Sequence, residues 1–214
     1  SAVVIYYRAD LARMAGSWFA SLAGAPGNDD SRLVWYLALA TLPAVLVGLF
    51  AGDYIEHQLR NLPVIATTTL LFGLLLGLAD RRAADSSGGR QLTLGLALLI
   101  GLAQAVAPIP GVSRSGITIT AALLLGMSRQ GSARFSFLLS IPVIAGAGLL
   151  KAWELVSAGG AADWLLLGMG AVISGVTAYL CIAVFLRLLD RVGLMPFVYY
   201  RLLLAAVLYA LWLV

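Results

Sequence analysis

Long apolar runs separated by short polar segments dominate the sequence. A hydrocarbon core of about 30 Å takes roughly 20 apolar residues as a helix, and five runs come close to that length. Their predicted bounds are Leu33–Phe50, Leu62–Ala79, Phe135–Leu150, Trp164–Leu186 and Leu194–Val214. The pattern therefore predicts an all-α, polytopic integral membrane protein.

The segments around these runs are predicted to be mostly loops. Residues 1–7 run into Arg8 and are typical of the end of a transmembrane helix rather than of a complete span. Residues 24–31 (GAPGNDDS) are a predicted loop in which Asp30 or Ser31 caps the next helix. The other predicted connections are 51–61, 80–91, 151–163 and 187–193.

Residues 92–127 do not fit a simple span. This region carries one charge, Arg114, and is too long for one crossing but too short for two crossings with a turn. Basic residues flank it on both sides, which by the positive-inside rule places both ends in the cytoplasm. The sequence therefore predicts a re-entrant helical hairpin whose tip, PGVSRSG, lies near the middle of the membrane.

The same rule orients the whole chain. Of the 14 Lys and Arg residues, most fall on or near the predicted cytoplasmic side. These are Arg8, Arg13, Arg32, Arg81, Arg82, Arg90, Arg129, Arg134, Arg187, Arg191 and Arg201. Arg60 and Lys151 fall on the outer side, which gives a strong bias and one orientation.

Composition excludes an ordinary soluble domain. The chain is 61% hydrophobic and 11% charged, with a mean hydropathy of +0.96, whereas soluble domains contain about 25% charged residues. The net charge of +4 comes from basic residues that flank the apolar runs, as the positive-inside rule expects. Nucleic acid is therefore not a predicted partner. The single cysteine, Cys181, lies in an apolar run and allows no disulfide within the chain.

The hairpin tip has the residues of an anion site. A charge inside a membrane indicates function, and irregular backbone there is tolerated where it lines a watery cavity. Pro108 and Pro110 break the incoming helix, and the next helix is predicted to begin near Ile117, so its free N–H groups face the turn. Arg114 adds a planar fork that fits two phosphate oxygens. The alternative is that Arg114 pairs with a buried carboxylate and only fixes the hairpin.

Three segments, PGVSRSGITIT, GMSRQGSARFSFLLSIPVIAGA and PFVYYR, resemble the undecaprenyl-diphosphate phosphatase family, also called the bacitracin-resistance family. The resemblance implies a multi-pass enzyme of the bacterial inner membrane, with an inverted-repeat topology and an active site that faces the outer side. Such an enzyme removes one phosphate from undecaprenyl diphosphate. The lipid carrier then returns to peptidoglycan synthesis, and the cell resists bacitracin.

The resemblance also implies roles for residues at the tip. Arg114 and Ser113 are the predicted catalytic residues. The predicted substrate-binding residues are Gly111, Ser115, Gly116, Thr118 and Gln104. Gln104 stands where the family's pseudo-symmetric first repeat carries a glutamate. The implied cofactor is a divalent cation, Mg²⁺ or Ca²⁺, but no metal ligand is predicted within this chain.

The family's first signature, near E-x-x-x-F-L-P-x-S-S-x-x-H, has no counterpart here. Its carboxylates and histidine, and with them the ligands of the cation, are expected upstream of Ser1. His57 is not expected to replace that histidine. Residues 1–214 are predicted to form one membrane domain. Residues 1–79 would be the remnant of the first repeat, and the second repeat would contain the hairpin 92–127 and the last three spans.

Several assignments stay open on the sequence alone. A transporter or flippase of the phosphorylated polyprenyl lipid is the alternative function, because re-entrant hairpins and inverted repeats also occur in transporters. A structural membrane subunit would leave Arg114 unexplained.

Asp53 and Glu56 either line the mouth of the site or are solvated, and Thr67 to Thr69 either face the cavity or pack between helices. The predicted partners are the lipid substrate and the membrane, and a homo-oligomer is left open.

Overall fold

Helices make up nearly all of the part of the chain that the structure describes. The structure is a computed structural model, which describes residues 2–84, 89–157 and 164–213. The helices are α1 Ala2–Tyr6, α2 Arg8–Leu22, α3 Asp29–Tyr54, α4 Leu62–Ala84, α5 Leu94–Gln104, α6 Arg114–Leu124, α7 Arg129–Ser157, α8 Trp164–Val192 and α9 Met195–Leu213. Within those ranges α3, α4, α7, α8 and α9 are long and apolar enough to cross a membrane, which confirms the all-α, polytopic fold class.

Most membrane helices are longer than the apolar runs that predicted them. Polar residues at a membrane surface can continue a helix, because its backbone groups are already paired within it. Parts of four predicted connections are therefore helical: α3 passes through 51–54 and into a π-helical turn at Ile55–Leu59, α4 includes 80–84, α7 includes 151–157 and α8 includes 187–192. Residues 85–88 and 158–163 of those connections lie outside the described residues.

The N-terminal part also differs from the prediction. Residues 8–22 form the helix α2, which the apolar pattern did not reveal. Helix α3 begins at Asp29, and its cap is Asn28 rather than Asp30 or Ser31. The Ser31 N–H donates to Asn28 Oδ1 at 2.9 Å, and the Asn28 N–H donates to Ser31 Oγ at 3.0 Å. This reciprocal pair satisfies two free donors at the helix start.

Helices α5 and α6 form the hairpin. Each has 11 residues and therefore rises roughly 16 Å, about half of the hydrocarbon core. The two ends meet, because the Arg90 N–H donates to the Gly126 carbonyl at 2.8 Å. The chain thus leaves and returns at the same level. Helix α6 begins at Arg114, three residues before the predicted start near Ile117.

The hairpin is wedged between the membrane helices. On α5, a side chain at Gly101 would come within 2.7 Å of the Ala40 Cα, so α5 lies directly against α3. On the other side, Ile119 and Leu123 of α6 are buried in an apolar cluster with Leu76 of α4. This close packing on two sides fixes the depth and direction of the turn between α5 and α6.

Candidate active site

The turn between α5 and α6 is seated on α4. Gly111 has a φ of +86°, the left-handed region that favours glycine. A side chain at Gly111 would collide with Thr68 Oγ1 and with the Ile65 carbonyl oxygen. The Thr68 hydroxyl donates to the Pro110 carbonyl at 2.6 Å, and the Thr69 hydroxyl donates to the Gly111 carbonyl at 3.4 Å. Two threonines of α4 thus hold consecutive carbonyls of the turn.

The three central side chains of the turn do not face one space, which corrects the single cluster that the sequence predicted. Ser113 is the N-cap of α6, and its Oγ accepts the Gly116 N–H at 3.2 Å. Successive residues on a helix point about 100° apart. Arg114 and Ser115 therefore point to different sides of α6. Arg114 lines one cavity, whereas Ser115 and the N-cap residue Ser113, which precedes the helix, line another.

The first space, here called the Arg114 cavity, has a volume of about 450 Å³. It lies between the hairpin, the second half of α3 and the second half of α7. Its lining includes Leu49, Gln104, Pro108, Arg114, Pro142 and Leu150. Most of this lining is apolar, so the charged head of Arg114 and the amide of Gln104 are its main polar features.

Arg114 and Gln104 are joined by a hydrogen bond, and each side chain keeps a nitrogen that has no partner among the described residues. Arg114 Nε donates to Gln104 Oε1 at 2.8 Å, and Arg114 Nη1 donates to the Ser136 carbonyl at 3.4 Å. Arg114 Nη2 and Gln104 Nε2 are buried and have no hydrogen-bond partner among the described residues. Unpaired buried donors are costly. Both residues line the same cavity, so an anion there would lie beside the Arg114 guanidinium and the Gln104 amide.

A structural ion pair does not account for Arg114. Its hydrogen bonds in the described part of the chain go to an amide and a backbone carbonyl, and none goes to a carboxylate. Arg129 shows the contrast, since it pairs with the buried Asp80 at 2.6 Å. The geometry therefore favours a ligand-binding role for Arg114 over a purely structural one.

The second space, here called the Arg201 cavity, has a volume of about 480 Å³. It is lined by Ser113, Ser115 and Gly116 of the turn, and by Thr69 and Arg201 of the neighbouring helices. Arg201 Nη2 donates to the Gly111 carbonyl at 2.9 Å. The sequence placed Arg201 on or near the cytoplasmic side, whereas the structure brings its guanidinium to the hairpin tip. Arg201 is the seventh residue of the last helix, which brings it to the depth of the hairpin tip. An arginine this far inside an apolar run was the sequence signal for a buried charge.

Thr118 lies behind the turn rather than in either cavity. Its side chain is fully buried. Its hydroxyl bonds to the Arg114 carbonyl at 3.0 Å and to Ser136 Oγ at 2.7 Å. These contacts join α6 to α7, so the predicted contact of Thr118 with substrate has no support in the geometry. Gly111 and Gly116 do lie beside the Arg201 cavity, as the backbone of the turn requires.

The described residues at the tip do not fit a divalent cation. Hard cations take carboxylate and carbonyl oxygens, but the side chains here are Arg, Ser and Gln. Among the described residues no group of three or more His, Cys, Asp or Glu side chains could hold a metal ion. Asp53, at the far end of α3, and Glu56 and His57, in the π-helical turn after it, are exposed, and neither cavity includes them.

The family model and the individual relatives that match this chain agree with one another. The model of the family described as bacitracin resistance protein BacA matches residues 1–207. A protein of Teredinibacter turnerae named undecaprenyl-diphosphatase is 52% identical over 98% of this chain and 79% of its own length. Proteins of the same name are 49% identical in Saccharophagus degradans and 51% identical in Alteromonas mediterranea, over 99% and 100% of this chain and 79% of each relative. The similarity thus covers the hairpin and both cavities.

Proposed function

The chain belongs to the bacitracin resistance protein BacA family, and we infer from this membership that it hydrolyses undecaprenyl diphosphate to undecaprenyl phosphate and inorganic phosphate. It is a membrane phosphatase, a hydrolase that acts on a phosphoric anhydride. The reaction returns the lipid carrier to cell-wall synthesis, which fits a role in bacitracin resistance. The names of the relatives do not favour a flippase.

The observation that carries the site assignment is the pair of unpaired buried donors in the Arg114 cavity. Arg114 Nη2 and Gln104 Nε2 both lack a partner among the described residues. A phosphoryl group of the substrate offers acceptor oxygens that would satisfy both donors. In this proposal Gln104 also holds the Arg114 guanidinium in place through the 2.8 Å bond to Nε.

The proposed chemistry is stabilisation of charge by a fixed guanidinium. Hydrolysis forms a bond between an incoming oxygen and the terminal phosphorus. The bond from that phosphorus to the bridging oxygen breaks, and the bridging oxygen leaves with the lipid monophosphate. Negative charge on the transferred group and the leaving oxygen is stabilised by preorganised donors in a site with little water. Arg114 is such a donor. Ser113 stays a predicted catalytic residue, and the divalent cation stays a prediction.

The proposed site opens to the outer side of the bacterial inner membrane. Helices α3 and α7 begin at predicted cytoplasmic ends, and the Arg114 cavity is lined by residues from their second halves, such as Leu49 and Leu150. A headgroup in the outer leaflet would reach Arg114 by this route. This orientation and a homo-oligomeric state are predictions.

Phosphate release tests the assignment of Arg114. We expect the natural full-length protein, purified in detergent, to release phosphate from undecaprenyl diphosphate. The Arg114→Ala variant should be at least ~100-fold slower, which corresponds to about 2.7 kcal/mol of lost transition-state stabilisation. The matched control is Arg60→Ala, because Arg60 is exposed at the outer end and pairs only weakly with Glu56.

Three outcomes have different meanings. A loss confined to Arg114→Ala would support the phosphate clamp. Equal rates in the parent and in Arg114→Ala would remove the role assigned to Arg114. Absence of release from the parent itself would contradict the proposed hydrolysis and bring back a transport function.

A further inference from the structure

Arg201 is a second guanidinium at the hairpin tip. Its Nη2 donates to the Gly111 carbonyl at 2.9 Å and to the Thr69 carbonyl at 3.3 Å. A side chain at Gly73 would come within 3.2 Å of the Arg201 Cβ, so α9 and α4 are in close contact there. The close approach fixes the stem of Arg201 and directs its head towards the turn.

The charge of Arg201 has no acidic partner in the described part of the chain. None of the ion pairs found there includes Arg201. Its Nε is buried and has no hydrogen-bond partner among the same residues. A charged side chain within a membrane is costly and normally pairs or faces a cavity. An anion in the Arg201 cavity would supply the missing counter-charge.

Holding the turn does not require this charge. The adjacent carbonyl, that of Pro110, is held by the neutral Thr68 hydroxyl at 2.6 Å. The Gly111 carbonyl likewise accepts a neutral donor, the Thr69 hydroxyl at 3.4 Å, which does not carry the cost of burying a cation. The arginine is therefore better explained by an anionic ligand than by the two carbonyls alone.

The other groups in the cavity suit a phosphoryl anion. Ser113 and Ser115 both line it, with their hydroxyl oxygens 3.5 Å apart. A side chain at Gly116 would come within 3.7 Å of Arg201 Nη1, so the first turn of α6 lies beside the guanidinium. A cation, two hydroxyls and a helix start are donors that phosphate oxygens accept. Phe185 and Phe197 provide apolar walls.

We propose that Arg201, together with Ser113 and Ser115, forms a second phosphoryl-binding subsite on the side of the turn away from Arg114. This subsite rests on the proposed phosphatase function and deepens it. The ligand is a phosphoryl group, which either the lipid headgroup or released inorganic phosphate can supply.

The test separates the charge of residue 201 from its hydrogen bonds. Arg201→Gln removes the charge and keeps a neutral N–H donor on a shorter side chain, whereas Arg201→Lys keeps the charge; Arg60→Gln is the surface control. Three quantities are measured on the natural full-length protein in detergent: the KM for undecaprenyl diphosphate, the Kd for inorganic phosphate by calorimetry, and the melting temperature. We expect Arg201→Gln to raise the KM, the Kd or both by at least about tenfold, the loss typical of one charged hydrogen bond. Arg201→Lys should recover part of that loss.

The two ligand sources give separate readings. A higher KM alone assigns the subsite to the lipid headgroup, and a higher Kd alone assigns it to inorganic phosphate. Unchanged KM and Kd in a folded Arg201→Gln protein would overturn the proposal, even if kcat falls, because the guanidinium would then only hold the turn. Calorimetry with phosphate needs no hydrolysis, so this failure is distinct from failure of the proposed function.

If the Arg201→Gln variant does not fold, a second variant still tests the subsite. Ser115→Ala removes one hydroxyl from the same cavity without touching the bonds of Arg201. If Arg201→Gln does not fold, Ser115→Ala should still raise the Kd for inorganic phosphate or the KM for the lipid. No change in either constant would overturn the subsite.

Discussion

Gly111 is the residue at which the path of the hairpin backbone is decided. Its φ of +86° requires a conformation that other residues rarely adopt. Its missing side chain also leaves room for Thr68 Oγ1 and the Ile65 carbonyl of α4. The Gly111 carbonyl then accepts a hydrogen bond from Arg201 at 2.9 Å. One position thus joins the turn to both α4 and α9.

Gly111→Ala is expected to lower both stability and activity. The left-handed conformation costs about 2 kcal/mol for a residue with a side chain, and the collision with α4 adds to this. Thermal unfolding and phosphate release of the variant measure the two effects. Gly16→Ala is the control, because Gly16 lies in α2 with no atom within 4 Å of an added Cβ, and there alanine should be neutral or mildly stabilising. Equal stability of Gly111→Ala and the parent would contradict this account of the turn.

At the scale of the elements, Asp80 connects three helices at the ends that are predicted to be cytoplasmic. Asp80 is 1% exposed, although the sequence placed it in an exposed loop. Its Oδ1 accepts from Arg129 Nε at 2.6 Å, and its Oδ2 accepts the Leu194 N–H at 3.2 Å. Its backbone carbonyl also accepts from Arg129 Nη2 at 3.0 Å. The carboxylate therefore ties α4 to the start of α7 and to the turn between α8 and α9.

Asp80→Asn is expected to destabilise the fold by about 3 kcal/mol, because it leaves the Arg129 charge without its buried partner. Unfolding in a denaturing detergent series measures the change. Glu154→Gln is the matched control. It removes the carboxylate of the Lys151–Glu154 pair, whose two side chains are 79% and 61% exposed, and should change stability little. Similar effects from both variants would argue against a special role of the buried pair.

At the scale of the whole molecule, the hairpin, the Arg114 cavity and the basic residues are all consistent with one orientation of the chain in the membrane. The hairpin ends meet at Arg90 and Gly126, on the side where Arg81, Arg82 and Arg129 lie in sequence. The Arg114 cavity is lined by the opposite halves of α3 and α7. With the basic ends in the cytoplasm, as the positive-inside rule predicts, the cavity is predicted to face the outer leaflet.

Cysteine labelling tests this orientation. In a Cys181→Ser background, Glu154→Cys and Arg187→Cys place single thiols at opposite ends of the membrane helices, and both positions are exposed. We expect a membrane-impermeant maleimide to label position 154 in cells with a permeable outer membrane but an intact inner membrane. Position 187 should react only after the inner membrane is opened. The reverse pattern would invert the proposed topology and place the Arg114 cavity on the cytoplasmic side.

The sequence by itself determined the fold class, the approximate spans and the hairpin. Apolar runs of membrane length and the distribution of arginines are one-dimensional signals, because lipid and the membrane potential act on each segment according to its composition. The same reasoning singled out Arg114, since a charge in an apolar hairpin has few explanations. The family resemblance added the reaction. Helix ends were less predictable, because a polar residue such as Lys151 can lie in a helix or in a loop.

Only the tertiary structure decided which side chains share a space. Ser113, Arg114 and Ser115 are adjacent in sequence, but Arg114 lines one cavity, whereas Ser113, before the helix, and Ser115, one position further along it, line the other. The sequence placed Arg201 on or near the cytoplasmic side and Asp80 in a loop. Both are brought to buried partners by helices distant in sequence, Arg201 at the Gly111 carbonyl and Asp80 at Arg129. Such partners depend on helix packing in three dimensions, which the order of residues along one segment does not contain.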